Sequence, residues 1–338
     1  MAFQRTACTC FCLVITSAIA YGQLQSGTAE VAPQARLRTT HTESGGRTVV
    51  VETVEGVDIE GRPASLEEVV TETTTAGETT YTRRDVFQAS VDGRRQLAET
   101  SESRQDMGTN GSTRTVHSTW VPDLNGHHRL TSQLLTETRS LASDVQRTDT
   151  TLLLPGINEP LRETLRTEHT ARRISPEVVR HEATQLDRDI NGRWRPVEIR
   201  QGEVRQTGTS ERVEEETTRR PDLNGNLVVA ELKVIRTTGT KEQEHVVIET
   251  YAEQTDVHSF HGRPPLSTRV RRTTTASANG GSYTVEEVEA RSPVSPNEPM
   301  RVIQRIVTTV SPSGRDEWVT ERQVFELDVN GRLRLVGE

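Results

Sequence analysis

From about residue 35 to the C-terminus, apolar and polar residues alternate with a period of two, in runs of roughly twelve residues rich in Val, Thr and Ile. Thr48-Val49-Val50-Val51-Glu52-Thr53 and His245-Val246-Val247-Ile248-Glu249-Thr250 are typical. β-Branched side chains are stiff at χ1 and fit a pleated surface, so these runs predict strands. Nothing sustains the apolar spacing of an amphipathic helix. Leu161 to Arg173 comes nearest, and it falls where the surrounding spacing requires a strand.

The runs are punctuated by a recurring turn. Its clear copies are Asp123-Leu124-Asn125-Gly126, Asp189-Ile190-Asn191-Gly192, Asp222-Leu223-Asn224-Gly225 and Asp328-Val329-Asn330-Gly331, with Ser90-Val91-Asp92-Gly93 close to them. Asp58-Ile59-Glu60-Gly61 and Ser259-Phe260-His261-Gly262 are looser, and Asn158-Glu159-Pro160 and Asn297-Glu298-Pro299 are degenerate. Most copies are 33 residues apart, and the widest step is 37. A second series, including Gly45-Gly46, Gly77, Asn110-Gly111 and Asn279-Gly280-Gly281, falls between them. Each unit therefore reads strand, turn, strand, turn, which predicts about nine tandem hairpins and about nineteen strands. Asn-Gly at such a place predicts a type I′ turn, with φ > 0 at both central residues. The preceding Asp or Ser offers an oxygen to the turn's own backbone. An apolar residue follows it in each clear copy, and Arg usually follows the glycine.

The predicted fold class is all-β. Tandem β-hairpin repeats form a long antiparallel sheet, open or coiling, in which each hairpin mainly touches its neighbours. Phe87, Trp120, Leu186 and Phe325, each six residues before a turn glycine, would form a thin apolar stripe along one face. A closed barrel or a propeller is the alternative. Propeller blades usually take four strands in 40 to 50 residues, which this repeat does not match. A membrane barrel needs an apolar outward face, and Arg212 to Arg220 offers none at either register.

Composition adds the compartment. Arg5, the apolar run Ala7 to Ala20 and the Ala18-x-Ala20 ending predict a secretory signal peptide over 1–20. An extended leader over 21–34 and the hairpin array over 35–338 follow, and the product is expected to be secreted, periplasmic or at the cell surface. All three cysteines, Cys8, Cys10 and Cys12, lie in the signal, so the mature chain has no thiol, disulfide or cysteine–metal chemistry. No later apolar run is long enough for a transmembrane helix, and no transmembrane segment is expected in the mature chain. The net charge is −8, with 32% hydrophobic and 4% aromatic residues, too polar for a thick core. Acidic residues interleave with the many arginines, which disfavours nucleic acid as a partner.

Candidate chemistry is sparse. The Asp-x-Asn-Gly turns partly match the start of a calcium loop, but the Arg that follows would repel a cation. His127-His128 and His258-x-x-His261 lack a further set of metal ligands. Carboxylates recur as equivalent positions with no singled-out pair, and no cofactor is indicated. These readings favour a non-enzymatic exported scaffold binding a protein or polysaccharide across its repeat face. The alternative is a carbohydrate-binding or hydrolytic β-protein with a site near the irregular repeats 258–281, where Phe260, His261, Trp194, Tyr251 and Trp318 are the candidate binding residues.

Overall fold

The computed structural model describes residues 36–338 except 58–62, 91–93, 109, 124, 157–158, 190, 241, 253–264, 292–298, 315, 329–330 and 338. The segments 1–20 and 21–34, predicted as signal and leader, lie outside the described residues. Nineteen strands follow one another without a helix among the described residues. They are β1 (Arg36–Ser44), β2 (Arg47–Val57), β3 (Pro63–Ala76), β4 (Thr79–Ala89), β5 (Arg95–Met107), β6 (Thr113–Pro122), β7 (His128–Ala142), β8 (Val145–Gly156), β9 (Glu159–Ser175) and β10 (Val178–Arg188). The remainder are β11 (Trp194–Thr207), β12 (Glu211–Pro221), β13 (Leu227–Gly239), β14 (Gln243–Ala252), β15 (Leu266–Ala276), β16 (Ser282–Ala290), β17 (Arg301–Pro312), β18 (Glu317–Leu327) and β19 (Leu333–Gly337). The near-helical stretch Leu161 to Arg173 is the middle of β9.

All neighbours are antiparallel, and the expected open sheet is instead closed. β1 pairs with β18, from Arg36 opposite Glu321 to Thr40 opposite Glu317, which joins the first hairpin to the last. The C-terminal β19 takes the other half of the same β18 edge, from Leu333 opposite Leu327 to Gly337 opposite Val324. β1 and β19 thus lie end to end as two halves of one closing strand. The wall is an up-and-down barrel of eighteen strands, β1 to β18. At about 4.8 Å between strands its perimeter is on the order of 86 Å, a width of roughly 27 Å before strand tilt widens it.

Bulges explain why the sheet curls. Every hairpin that runs from an even to an odd strand carries a register shift, for example between Val86 and Phe87 or between Thr119 and Trp120, and β8–β9 carries a second between Pro155 and Gly156. The same shift occurs in β2–β3, β8–β9, β10–β11, β12–β13, β14–β15, β16–β17 and β18–β19. Each inserts one residue into the odd strand, among them Thr131, Thr164 and Ser267, and a bulge bends its strand and increases the right-handed twist. Repeated at one height around the sheet, the bends add up to a cylinder. The hydroxyls of Thr131, Thr164 and Ser267 donate to the carbonyls of Thr119, Leu152 and Thr250 at 3.0, 3.2 and 2.8 Å, adding a side-chain bond across each bulge.

The recurring turn also differs from expectation. Gly126 N–H donates to Asp123 O, and Asp123 N–H donates to His127 O, enclosing a three-residue loop. The turns at Asp189, Asp222 and Asp328 repeat both bonds. This is a type I turn completed by a glycine in the left-handed region, with φ of 79° at Gly126 and 82° at Gly225. The two-residue turn with both φ positive is found on the opposite rim, at Gly45 and Gly46. Phe87, Trp120, Leu186 and Phe325 do share one face, each at the register shift of its hairpin, but Glu55, Arg219 and Glu289 hold the same place in β2, β12 and β16, so the stripe is broken. The buried apolar side chains among the described residues are Val69, Val86, Val234 and Val246, far fewer than a packed core needs.

Candidate functional site

Closure turns the two faces of the sheet into two walls. One face carries Glu72, Tyr81, Arg83, Glu102 and Arg104, and the other carries Thr73, Thr80, Thr82, Ser101 and Ser103 in the alternate positions of the same strands. Tyr81, Arg83 and Glu102 are exposed, whereas Thr80 and Thr82 are half-buried and Ser101 is buried. Side chains converge on the concave face of a cylinder and splay on the convex one, so the threonine face lines the lumen and the charged face looks out.

The lumen is lined by hydroxyls paired across strands. Thr73 meets Thr82 at 3.3 Å, Thr136 meets Thr150 at 3.4 Å, Thr138 meets Thr148 at 3.0 Å and Thr274 meets Thr284 at 3.1 Å. A hydroxyl that already has one partner still has capacity for water, so these threonine positions are wettable. Among the described residues, strong contacts between strands are confined to sheet neighbours and the adjoining β17 and β19, and none spans the interior.

Charged side chains share this face: Arg84 lies 3.6 Å from Glu99, Arg272 stands opposite Glu286, and a further cluster runs from β9 to β13. Glu198 accepts from Arg220 at 2.9 Å and contacts Arg200, and Glu214 accepts from Arg212 at 3.0 Å. His181 Nε2 lies 3.3 Å from Glu216 of β12, reaching across β11 at Gly202. A β-carbon on Gly202 would collide with the His181 ring and with the Glu215 carbonyl, so glycine here is what lets the two side chains meet. His169 stacks at 6.1 Å behind His181, and Lys233 stands opposite Glu216. Sequence reasoning passed over these residues. Their signal was a glycine inside a strand, and a lysine in a chain whose other strand cations are all arginine.

The outer wall is a set of charge ladders. Arg47 contacts Glu72 at 2.7 Å, Arg180 contacts Glu203 at 2.6 Å, and Glu249 holds both Arg236 at 3.0 Å and Arg269 at 2.8 Å. A shallow recess of about 730 Å³ on this face is lined by Tyr81, Arg83, Arg104, Trp120 and their neighbours.

The candidate binding residues do not converge. Trp194 lies at the start of β11 on the outer wall, with the guanidiniums of Arg166 and Arg188 each 5.1 Å from its ring. The Tyr251 hydroxyl donates to Glu249 at 3.1 Å, three strands away. Trp318 faces the lumen near the opposite rim, edge-on to His41 at 5.4 Å. Phe260 and His261 lie outside the described residues. Among the turn residues, Asp123, Asp189 and Asp222 each accept two backbone N–H bonds through Oδ1, from the second and fourth residues onward. Asp328 accepts one from Arg332, whose Asn330 neighbour is not described. Asn125, Asn191 and Asn224 donate through their backbone, and Gly192 and Gly331 have φ of 77° and 75°.

No family model matches the chain, and no curated protein matches it. Among solved structures, it is similar to OccK5 (OpdH) of Pseudomonas aeruginosa at 8% identity and a TM-score of 0.49, over 91% of this chain and 96% of that one. A mutant of the Rh. blastica porin shares 8% identity at a TM-score of 0.37, over 87% and 98% of the two chains. A porin-like protein from Bacteroides uniformis shares 10% identity at a TM-score of 0.15, over 87% and 97%.

The closed wall overturns the scaffold reading. A long flat face bearing equivalent repeats does not exist, because the first hairpin is hydrogen-bonded to the last. The carbohydrate-binding or hydrolytic alternative goes with it, since the described candidates for its site lie on separate strands and both walls.

Proposed function

We propose that the barrel is a water-filled conduit for small hydrophilic solutes in the cell envelope. The observation that carries this reading is the lumen itself, a closed ring of eighteen strands bearing paired threonines, with no strong contact across it among the described residues. The predicted export signal supports an envelope location. None of the described helices crosses a membrane, because there is none, and a β-barrel crosses with strands.

The outer wall sets the condition for lipid. A single cation at the midplane of a lipid-facing barrel wall costs about 2–4 kcal/mol. Here arginines and carboxylates face out together and neutralise each other in pairs, as Arg236, Glu249 and Arg269 do. The same ladders favour a second reading, in which the barrel stands in water and holds solutes rather than passing them. Reconstitution into planar bilayers decides between the two. Discrete conductance steps, with swelling of proteoliposomes in small sugars, are the expected result. A chain that stays monodisperse without detergent and gives no conductance would overturn the conduit and leave the aqueous barrel.

A further inference from the structure

The lumenal face changes character around the barrel. On β3 to β6 one row of directly opposed residues reads Thr73, Thr82, Ser103 and His117. On β13 to β16 a row on the same face reads Ile235, Ile248, Val270 and Val288. All four are half-buried, and among the described residues no strand makes strong contact across the interior to cover them. Opposed threonines stabilise neighbouring strands as aliphatic pairs do, so sheet pairing alone does not require this strip. An apolar strip that faces water gains free energy when something apolar covers it.

Lys233 stands at the β13 end of the strip, two residues from Ile235 on the same face. Among the described residues no carboxylate forms an ion pair with its ammonium. Glu216, directly opposite, is engaged by His181 at 3.3 Å and attracts the lysine only from further off. Glu231 lies on the far side of Lys233 from the strip. Arg272, which borders the strip beyond Val270, has Glu286 opposite it.

We propose that this part of the lumen wall binds a single-chain amphiphile with an anionic head, its chain along Ile235 to Val288 and its head on Lys233. At 4.8 Å per strand the strip is about 14 Å long, the reach of an extended chain of about ten carbons. The chain removes apolar surface from water, and the head meets a cation that the wall leaves without an ion pair. The site goes beyond the passage of hydrophilic solutes. It rests on the lumen described above, and it is the same in a membrane conduit and in a barrel that stands in water.

The chain has no cysteine beyond Cys12, so one can be introduced and labelled alone. With Cys8, Cys10 and Cys12 changed to serine, the full chain carrying Thr250→Cys takes a small environment-sensitive fluorophore opposite Lys233. Val247→Cys, opposite Arg236, puts the same label on the outer wall. Decanoate is titrated against each in phosphatidylcholine nanodiscs or, for a chain that stays in water, in plain buffer. The expected result is a saturable change in emission at position 250 and none that saturates at position 247. Butyrate, a head without the tail, and decyltrimethylammonium, a tail with the opposite charge, each bind at least about tenfold more weakly. Lys233→Gln weakens decanoate binding about tenfold and Lys233→Arg keeps it, with the strand circular-dichroism signal intact in both. Val270→Asn weakens it to a similar degree, about tenfold. No saturable change at position 250, an equal one at position 247, equal binding of decyltrimethylammonium, or undiminished binding in Lys233→Gln would each overturn the proposal. Conductance has no part in the readout. A chain that binds decanoate and conducts nothing keeps the site and loses the conduit, and one that conducts without binding does the reverse.

Discussion

Asp189 and Asp222 show how much a single short side chain does here. Each carboxylate sits at a turn outside the strands and is held below the usual carboxylate range, first by the backbone N–H of Arg193 or Asn226 and then by that of Asn191 or Asn224. A depressed carboxylate contributes stability above its unfolded pKa and loses it as pH falls through the folded one. The unfolded value is near 3.9, so the contribution is whole at neutral pH and fades from about pH 4 downward. Asp189→Asn with Asp222→Asn should therefore lower the melting temperature at pH 7 and converge on the parent by about pH 2. Parallel melting curves across that range would show that the turn carboxylates are not the cause.

At the scale of elements, the bulged hairpin is the unit that matters. Thr131 and Thr164 are inserted residues in β7 and β9, and each hydroxyl donates to a carbonyl of the partner strand across the bulge. Thr131→Val and Thr164→Val keep the shape and the β-branching but remove that bond. Each should cost about 1 kcal/mol in chemical denaturation, against little change for an exposed control such as Thr209→Val. A two-residue turn was expected from Asn-Gly, and the three-residue loop that forms instead is matched to the bulge in the same hairpin. Sequence could have exposed the bulge as a one-residue slip in alternation near the start of each odd strand. The inserted residues range from Ala98 and Thr131 to Leu66 and Ile303, so no one residue type marks the slip.

For the whole molecule, the decisive contact is between strands almost 300 residues apart in sequence. Leu37 of β1 stands opposite Thr320 of β18, and no cysteine occurs in the strands. Leu37→Cys with Thr320→Cys, in a background free of Cys8, Cys10 and Cys12, should form an intramolecular disulfide under mild oxidation and migrate faster on a non-reducing gel. Directly opposed residues in antiparallel strands have β-carbons about 4.5–5.5 Å apart, close enough for small adjustments to permit the bond. An open sheet would keep those cysteines far apart, and an absence of the fast-migrating form would speak for it.

The order of strands, their antiparallel pairing and the place of nearly every turn were determined by the sequence alone, because β-branched alternation and Asn-Gly punctuation act within a dozen residues. Which face is inside was not legible, nor that there is an inside at all. Closure depends on curvature summed over bulges in nine hairpins, each too small to decide anything by itself, and on an edge of β18 shared by β1 and β19. The meeting of His181 with Glu216 over Gly202 belongs to the same class, since it needs three strands in register. Local pattern encodes the hairpin, and only the accumulated bend of the whole sheet makes the lumen.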